Sequence, residues 1–219
     1  MRVLIDVDTQ VDFMLPSGSL YVPAEPKVLD NIRDALSSKD YDVVIGSVDS
    51  HSYDSWEFQE NGGPFPPHCV KGTGGWLRVV NDLPRRTRFI PMMEGTSMLV
   101  AAKEGKRYLT PLELCLEAER GVGIYFEKEV YSMFSNPFAG EFVSNLIRAK
   151  HLDWPDVTFD VIGYCTGGYC VDQAVEGLHA LTEGRAKIRV LSEATAPIGG
   201  KEGEKITKAM VERLNCEWV

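Results

Sequence analysis

Val157-Thr158-Phe159-Asp160-Val161-Ile162, followed by Gly163-Tyr164-Cys165-Thr166-Gly167-Gly168-Tyr169-Cys170, is the stretch whose reading decides the fold. Its first six residues form a short, largely apolar run with the signature of a buried strand. A glycine-containing turn follows. From Cys170 a helical stripe begins with Val171, Ala174, Val175, Leu178 and Leu181, and Gly184 stands as its stop. Strand, turn and helix in that order are the unit of a parallel α/β sheet. The pattern repeats outward in both directions. Val3-Leu4-Ile5, Val43-Val44-Ile45, Gly123-Ile124-Tyr125-Phe126 and Ile188-Arg189-Val190-Leu191 read as further strands. Val28, Leu29, Ile32 and Leu36 make a helical stripe behind Pro26, Phe138, Phe142, Leu146 and Ile147 a second, and Ile206, Ala209, Met210 and Leu214 a last one. The expectation is one α/β domain over residues 1–219, an open parallel sheet with helices on both faces. Residues 52–76, rich in Gly, Pro and Ser, read as a long loop, and loops of that length inside compact domains are usually functional. Residues 79–120 show no clear period until Thr110-Pro111 opens a short helix through Glu119.

Composition narrows the function classes. The chain has 219 residues, 44% hydrophobic and 25% charged, which is the balance of a soluble globular protein. A net charge of -9 disfavours nucleic acid and anionic membrane as partners, because phosphates need Lys and Arg. The apolar run after Met1-Arg2 ends too early for a signal peptide, and no run approaches a membrane span. Five cysteines, none in a CxxC pair, favour reduced thiols and a cytoplasmic location over a zinc ribbon or a disulfide framework. No G-x-G-x-x-G follows the first strand, which disfavours a dinucleotide role.

Four reactive side chains sit just past strand-like runs: Asp8, Asp49, Lys128 and Cys170. Ligands of open parallel sheets bind beyond the carboxyl ends of the strands, so a base, a metal-binding carboxylate, a cation and a thiol are expected in one crevice. Cys170 opens a helix, whose free N–H groups and dipole favour a thiolate and can hold an oxyanion. An isolated cysteine is more often a small core residue, and Asp8 alone would read as a turn carboxylate, Lys128 alone as a surface lysine. Strand alternation points Asp6 and Asp8 to one side, with only Asp8 at the crevice end. A second cluster surrounds the long loop. Asp49 and His51, at i and i+2 of an extended segment, face one way, and His68 arrives from the far end. A mixed His and carboxylate shell suits one divalent ion, zinc first, with iron or manganese as alternatives. Glu57 and Glu60 lie between as candidates for a further ligand, whereas His151 and His179 sit in helical stretches and read as structural.

These pieces together resemble the isochorismatase-like cysteine hydrolases, and within them the nicotinamidases. The matching segments are Asp8-Thr9-Gln10-Val11-Asp12-Phe13, Asp49-Ser50-His51, Pro66-Pro67-His68-Cys69-Val70-Lys71-Gly72-Thr73, Lys128 with Tyr131-Ser132, and Gly163 through Cys170-Val171. The resemblance implies a three-layer sandwich and a triad of Asp8, Lys128 and Cys170. It implies metal ligation by Asp49, His51 and His68, with Glu60 at one family spacing for a fourth ligand and Glu57 where other members carry a His. It implies that Phe13, Phe65 and Tyr169 line a ring pocket. The glycine pair before Cys170 is one residue longer than the family's turn, so Cys165 or Thr166 is left to partner the Cys170 N–H in the oxyanion hole. The gap between His68 and Lys128 is longer than in compact members and marks residues 79–120 as an insertion. The implied reaction is hydrolysis of nicotinamide to nicotinate and ammonia through a thioester, a step of NAD salvage, with the metal on the pyridine nitrogen. The alternative is a metal-free hydrolase of the same superfamily acting on a carbamoyl or enol-ether substrate. The expected partner is a small aromatic amide, and the sequence leaves a homo-oligomer open.

Overall fold

The structure, a computed structural model, describes residues 1–80, 86–92 and 110–219. Its described strands are β1 (Arg2–Val7), β2 (Val43–Asp49), β3 (Thr87–Ile90), β4 (Gly123–Lys128), β5 (Thr158–Thr166), β6 (Lys187–Pro197) and β7 (Glu217–Trp218). They form one sheet in the order β3-β4-β2-β1-β5-β6-β7, with every pair parallel. The described α-helices are α1 (Val11–Met14), α2 (Lys27–Ser37), α3 (Pro111–Glu119), α4 (Pro137–Ala149), α5 (Cys170–Leu181) and α6 (Lys201–Arg213).

Both faces of the sheet are covered, as a parallel sheet requires. Val3, Ile5 and Val7 of β1 point into a core shared with α3, α4, α5 and α6, and Leu4 points into a second core with α1 and α2. The central strands are therefore apolar on both faces, which is why they read as runs rather than as alternation. Burying one such Leu, Ile or Phe contributes about 1.5–3 kcal/mol.

The helices begin where the sequence supplies caps. Thr110 and Glu113 form a reciprocal capping box on α3, with Pro111 in its first turn. Asn136 caps α4 and also donates to the carbonyls of Ile90 (3.0 Å) and Glu127 (2.9 Å), tying that helix to β3 and β4. Strands β3 and β7 and the short α1 are absent from the sequence reading; each is too brief to show a period. In the expected insertion at 79–120, residues 81–85 and 93–109 lie outside the described residues. The remainder supplies the edge strand β3 and helix α3.

Strand order has one consequence for function. The four runs that end in Lys128, Asp49, Asp8 and the turn to Cys170 are β4, β2, β1 and β5, four adjacent strands in the middle of the sheet.

Candidate active site

Register brings the first two residues together, since Asp49 and Lys128 are Cα partners across β2 and β4. The Lys128 side chain is fully buried. Its ammonium lies 2.6 Å from Asp49 Oδ1, 2.8 Å from Asp8 Oδ2 and 3.6 Å from Cys170 Sγ. The Asp8 and Asp49 oxygens and the Cys170 sulfur lie within 4.8 Å of one another. Asp8 reaches this position because it leaves β1 in the left-handed region, with φ of 49°. That turn overrides strand alternation and corrects the expectation that Asp6 and Asp8 share a side. Asp8 accepts from Ser47 Oγ at 2.7 Å, whereas Asp6 bonds Arg78, Tyr125 and Thr9.

The electrostatics follow from burial set against this one cation. Burial alone would push the Lys128 ammonium down, but Asp49 and Asp8 outweigh it and hold it well above its ordinary value. Burial would raise Asp49, yet Lys128 keeps it well below the usual carboxylate range. Asp8 goes the other way: burial raises it, and the nearby Asp49 charge adds to that against the pull of Lys128. Burial also pushes the Cys170 thiol well up, with only Lys128 opposing. Of the two carboxylates on Lys128, Asp8 is the one that takes a proton more readily, and it stands beside the thiol. Cys69 and Cys165 are buried thiols nearby, both pushed well up by desolvation.

Beyond Asp49 the long loop contributes two imidazoles. His51 Nε2 lies 3.5 Å and His68 Nε2 lies 3.8 Å from Asp49 Oδ2. The other nitrogen of each ring is already engaged: His51 Nδ1 with Ser55 Oγ at 3.1 Å and His68 Nδ1 with the Pro66 carbonyl at 2.8 Å. A carbonyl can only accept, so the His68 Nδ1 carries a proton, and in the neutral ring its Nε2 presents a lone pair. The buried His51 Nε2 has no hydrogen-bond partner among the described residues. Two imidazole nitrogens and a carboxylate converging on one point fit a divalent transition ion. The further carboxylate beside them is Glu57, not Glu60. Glu57 is buried with an oxygen 4.0 Å from His51 Nε2, and its other oxygen is unpartnered. Glu60 is exposed on the 3-10 turn Gln59–Asn61, which carries it outward. His151 and His179 take no part in the group.

Aromatic rings wall the imidazoles. Phe13, Phe58 and Phe65 stand 5.6, 5.5 and 5.8 Å from the His68 ring. Tyr169 meets Phe65 at 6.5 Å and Tyr131 at 5.5 Å. Phe58 was missing from the sequence reading; its only signal is a large apolar residue in a polar loop. Two polar residues of the first motif also proved to be supports. Gln10 clamps the Asp49 backbone, accepting from its N–H (2.7 Å) and donating to its carbonyl (2.8 Å). Asp12 accepts from the Cys69 N–H (2.7 Å) and the Ser19 N–H (2.9 Å), holding the residue after His68 in a left-handed turn with φ of 45°.

Cys170 stands at the first position of α5. Cys165 and Thr166 close β5, and the cis peptide of this turn falls at Tyr164–Cys165. The N–H groups of Gly167 and Gly168 are engaged by Thr207 Oγ1 (2.8 Å) and Asp172 Oδ2 (2.7 Å).

The layered parallel sheet with this crevice is an isochorismatase-like α/β fold. Solved structures that it is similar to include nicotinamidases and pyrazinamidases. The pyrazinamidase of Pyrococcus horikoshii in complex with zinc matches at a TM-score of 0.66 and 23% identity, over 100% of this chain and 98% of that one. A structure from L. infantum in complex with nicotinate matches at 0.67 and 20%, over 100% and 91%. The yeast nicotinamidase bound to the inhibitor nicotinaldehyde matches at 0.64 and 21%, over 100% and 99%. No family model and no curated protein sequence matches the chain.

Proposed function

We propose that this chain is a metal-containing cysteine amidohydrolase that converts nicotinamide to nicotinate and ammonia. The observation that carries the proposal is Lys128, one buried ammonium in contact with Asp8, Asp49 and Cys170. It joins a base and a thiol to the carboxylate of a metal-ligand cluster, so that chemistry and substrate anchoring share one charge. Similarity to structures bound to zinc, nicotinate and nicotinaldehyde supports the reading.

In this mechanism Asp8 accepts the Cys170 proton as sulfur attacks the carboxamide carbon. The oxyanion takes the N–H of Cys170 with that of Cys165 or Thr166. Collapse returns the proton from Asp8 to the leaving nitrogen and expels ammonia, leaving a thioester. Asp8 then deprotonates a water that attacks the thioester. The carboxylic acid product leaves, and Cys170 regains its proton. Lys128 keeps its charge throughout and steadies whichever of carboxylate and thiolate is ionised. Phe13, Phe65 and Tyr169 hold the ring, with Phe58 and Tyr131 extending the wall. Asp49, His51 and His68 would hold the ion, with Glu57 as the adjacent carboxylate. When bound, zinc, or iron or manganese in its place, supplies a Lewis-acid anchor for a pyridine nitrogen. Among the described residues no helix is long and apolar enough to cross a membrane, and a cytoplasmic location is part of the proposal.

Ammonia release from nicotinamide and from benzamide, alongside elemental analysis, tests the reading. The expected result is one transition-metal ion per chain, turnover of nicotinamide, poor turnover of benzamide, which lacks the ring nitrogen, and loss of both in Cys170→Ala. Equal rates on the two amides, or full activity in metal-free protein, would overturn it in favour of the metal-free hydrolase.

A further inference from the structure

We propose that Asp172 and Thr207 are positioning residues that tie back the Gly167-Gly168 turn, and so aim the head of α5 and the Cys170 thiol at the reacting carbonyl. The inference rests on the hydrolase reading and deepens it.

The turn that precedes Cys170 is one residue longer than the resemblance predicts, and the extra length needs its own restraint. Gly167 and Gly168 lie in succession at φ of 97° and 94°, the region that side chains avoid. Two consecutive glycines in that region would leave the approach to the nucleophile loose if nothing held them. Here the N–H of Gly167 donates to Thr207 Oγ1 at 2.8 Å and that of Gly168 donates to Asp172 Oδ2 at 2.7 Å. The Thr207 hydroxyl in turn donates to the same carboxylate, 2.9 Å from Oδ1 and 3.1 Å from Oδ2. Donors and acceptors balance: two amide hydrogens and one hydroxyl hydrogen, received by one hydroxyl oxygen and one carboxylate. Thr207 is fully buried and Asp172 is 2% exposed, so water does not substitute for these bonds.

Packing explains why the latch comes from two helices. A Cβ on Gly203, in the first turn of α6, would run into the Ile198 carbonyl. A Cβ on Gly167 would lie 2.9 Å from that carbonyl and 3.0 Å from the Gly203 Cα. The start of α6 is therefore pressed onto the turn, and Thr207, one helical turn further on, meets the Gly167 amide. Asp172, in the first turn of α5, would ordinarily serve the helix's own free N–H groups. Instead it reaches back to Gly168 and across to α6. The latch engages the amides of both glycines, one on the α5 side chain of Asp172 and one on the α6 side chain of Thr207, which leaves the oxyanion to the N–H of Cys170 with that of Cys165 or Thr166.

The test uses the full chain and three variants, Thr207→Val, Thr207→Ser and Asp172→Asn. The measurements are kcat and KM for nicotinamide, nicotinate affinity, and inhibition by nicotinaldehyde, which can add the thiol to form a tetrahedral adduct. Thr207→Val is expected to lower kcat about 10- to 100-fold by misplacing the nucleophile. KM and nicotinate affinity should stay within about twofold and aldehyde affinity should fall in step with kcat, since only the tetrahedral species depends on the aimed thiol. Thr207→Ser keeps the hydroxyl and should restore the native values. Asp172→Asn should fall between and serves in place of Thr207→Val if that variant fails to fold. Native kcat in Thr207→Val, or equal losses of nicotinate and aldehyde affinity, would overturn the latch. If the native protein does not hydrolyse nicotinamide, the hydrolase reading fails separately. The latch is then read from the iodoacetamide rate at Cys170: a rate slowed in Thr207→Val and recovered in Thr207→Ser supports it, and an unchanged rate overturns it.

Discussion

Asp6 and Asp8 stand two residues apart at the end of one strand, both fully buried, and their surroundings differ in one respect. Asp6 is matched one to one with a cation. Arg78 reaches it at 2.5 Å and Tyr125 donates to it at 2.6 Å, while the guanidinium lies 3.8 Å above the Tyr125 ring. Asp8 must share its cation, because Lys128 also serves Asp49, and Glu57 brings a third carboxyl close to that group. The first cluster is neutral in sum and locks the strand to the loop that carries Arg78. The second is short of positive charge. Burial raises Asp8 and the neighbouring Asp49 charge adds to it against Lys128, while Asp49, His51 and His68 together form a donor set that would suit a divalent ion. Balanced buried charge makes structure here; unbalanced buried charge makes a site.

Breaking each cluster should produce opposite signatures. The largest effect belongs to the unbalanced one. Asp8→Asn and Lys128→Ala should each lower kcat/KM by about 10³–10⁴-fold, and the double variant should be little worse than either, because groups that act as a unit are non-additive. Steady-state kinetics on all three variants checks this, and multiplicative losses in the double variant would mean the residues act separately. Next comes the balanced cluster. Arg78→Met strands a buried carboxylate and should cost about 3–5 kcal/mol of folding free energy in urea titrations, with kcat of the folded fraction near native. A folded but inactive Arg78→Met protein would erase the contrast. The smallest effect separates the two loop carboxylates. Glu57→Gln should weaken metal affinity about 10- to 100-fold, as loss of a group supporting the ligands does. Glu60→Gln should leave it unchanged, and competition with a chelator would distinguish the two.

Much of this was legible in the chain, and the gaps have physical causes. The central strands announced themselves because burial on both faces makes them continuous apolar runs, and the residue just past each run is fixed by chain direction. The helices announced themselves through stripes and through caps such as Thr110-Pro111. Contacts across the sheet were not legible. That Lys128 meets Asp49 depends on β4 lying beside β2, although β3 comes between them in sequence. The left-handed turn at Asp8 hid its side, since sequence alternation assumes extended backbone. Glu57 and Glu60 differ by less than one helical turn, and only the 3-10 turn and Gly62 after it, at φ of 92°, decide which faces inward. The roles of Gln10 and Asp12 were invisible because their partners are backbone groups, which carry no sequence signal.

The order of strands also sets when chemistry becomes possible during folding. Lys128 is separated from Asp49 by 79 positions and from Cys170 by 42; the first two close different strands and Cys170 opens the helix after a third. Such pairings are closed late, because each must first meet the entropy of a long loop. A chain still emerging, or one that has formed only the β1–β2 pair, has neither the ammonium nor the thiol in place. Its cysteine carries no companion cation and gains none until β4 has slid between β2 and the edge and β5 has docked on the far side of β1. Catalysis therefore waits on the whole sheet: the carboxylates, the ammonium and the thiol meet only once β2, β1, β4 and β5 are all in place.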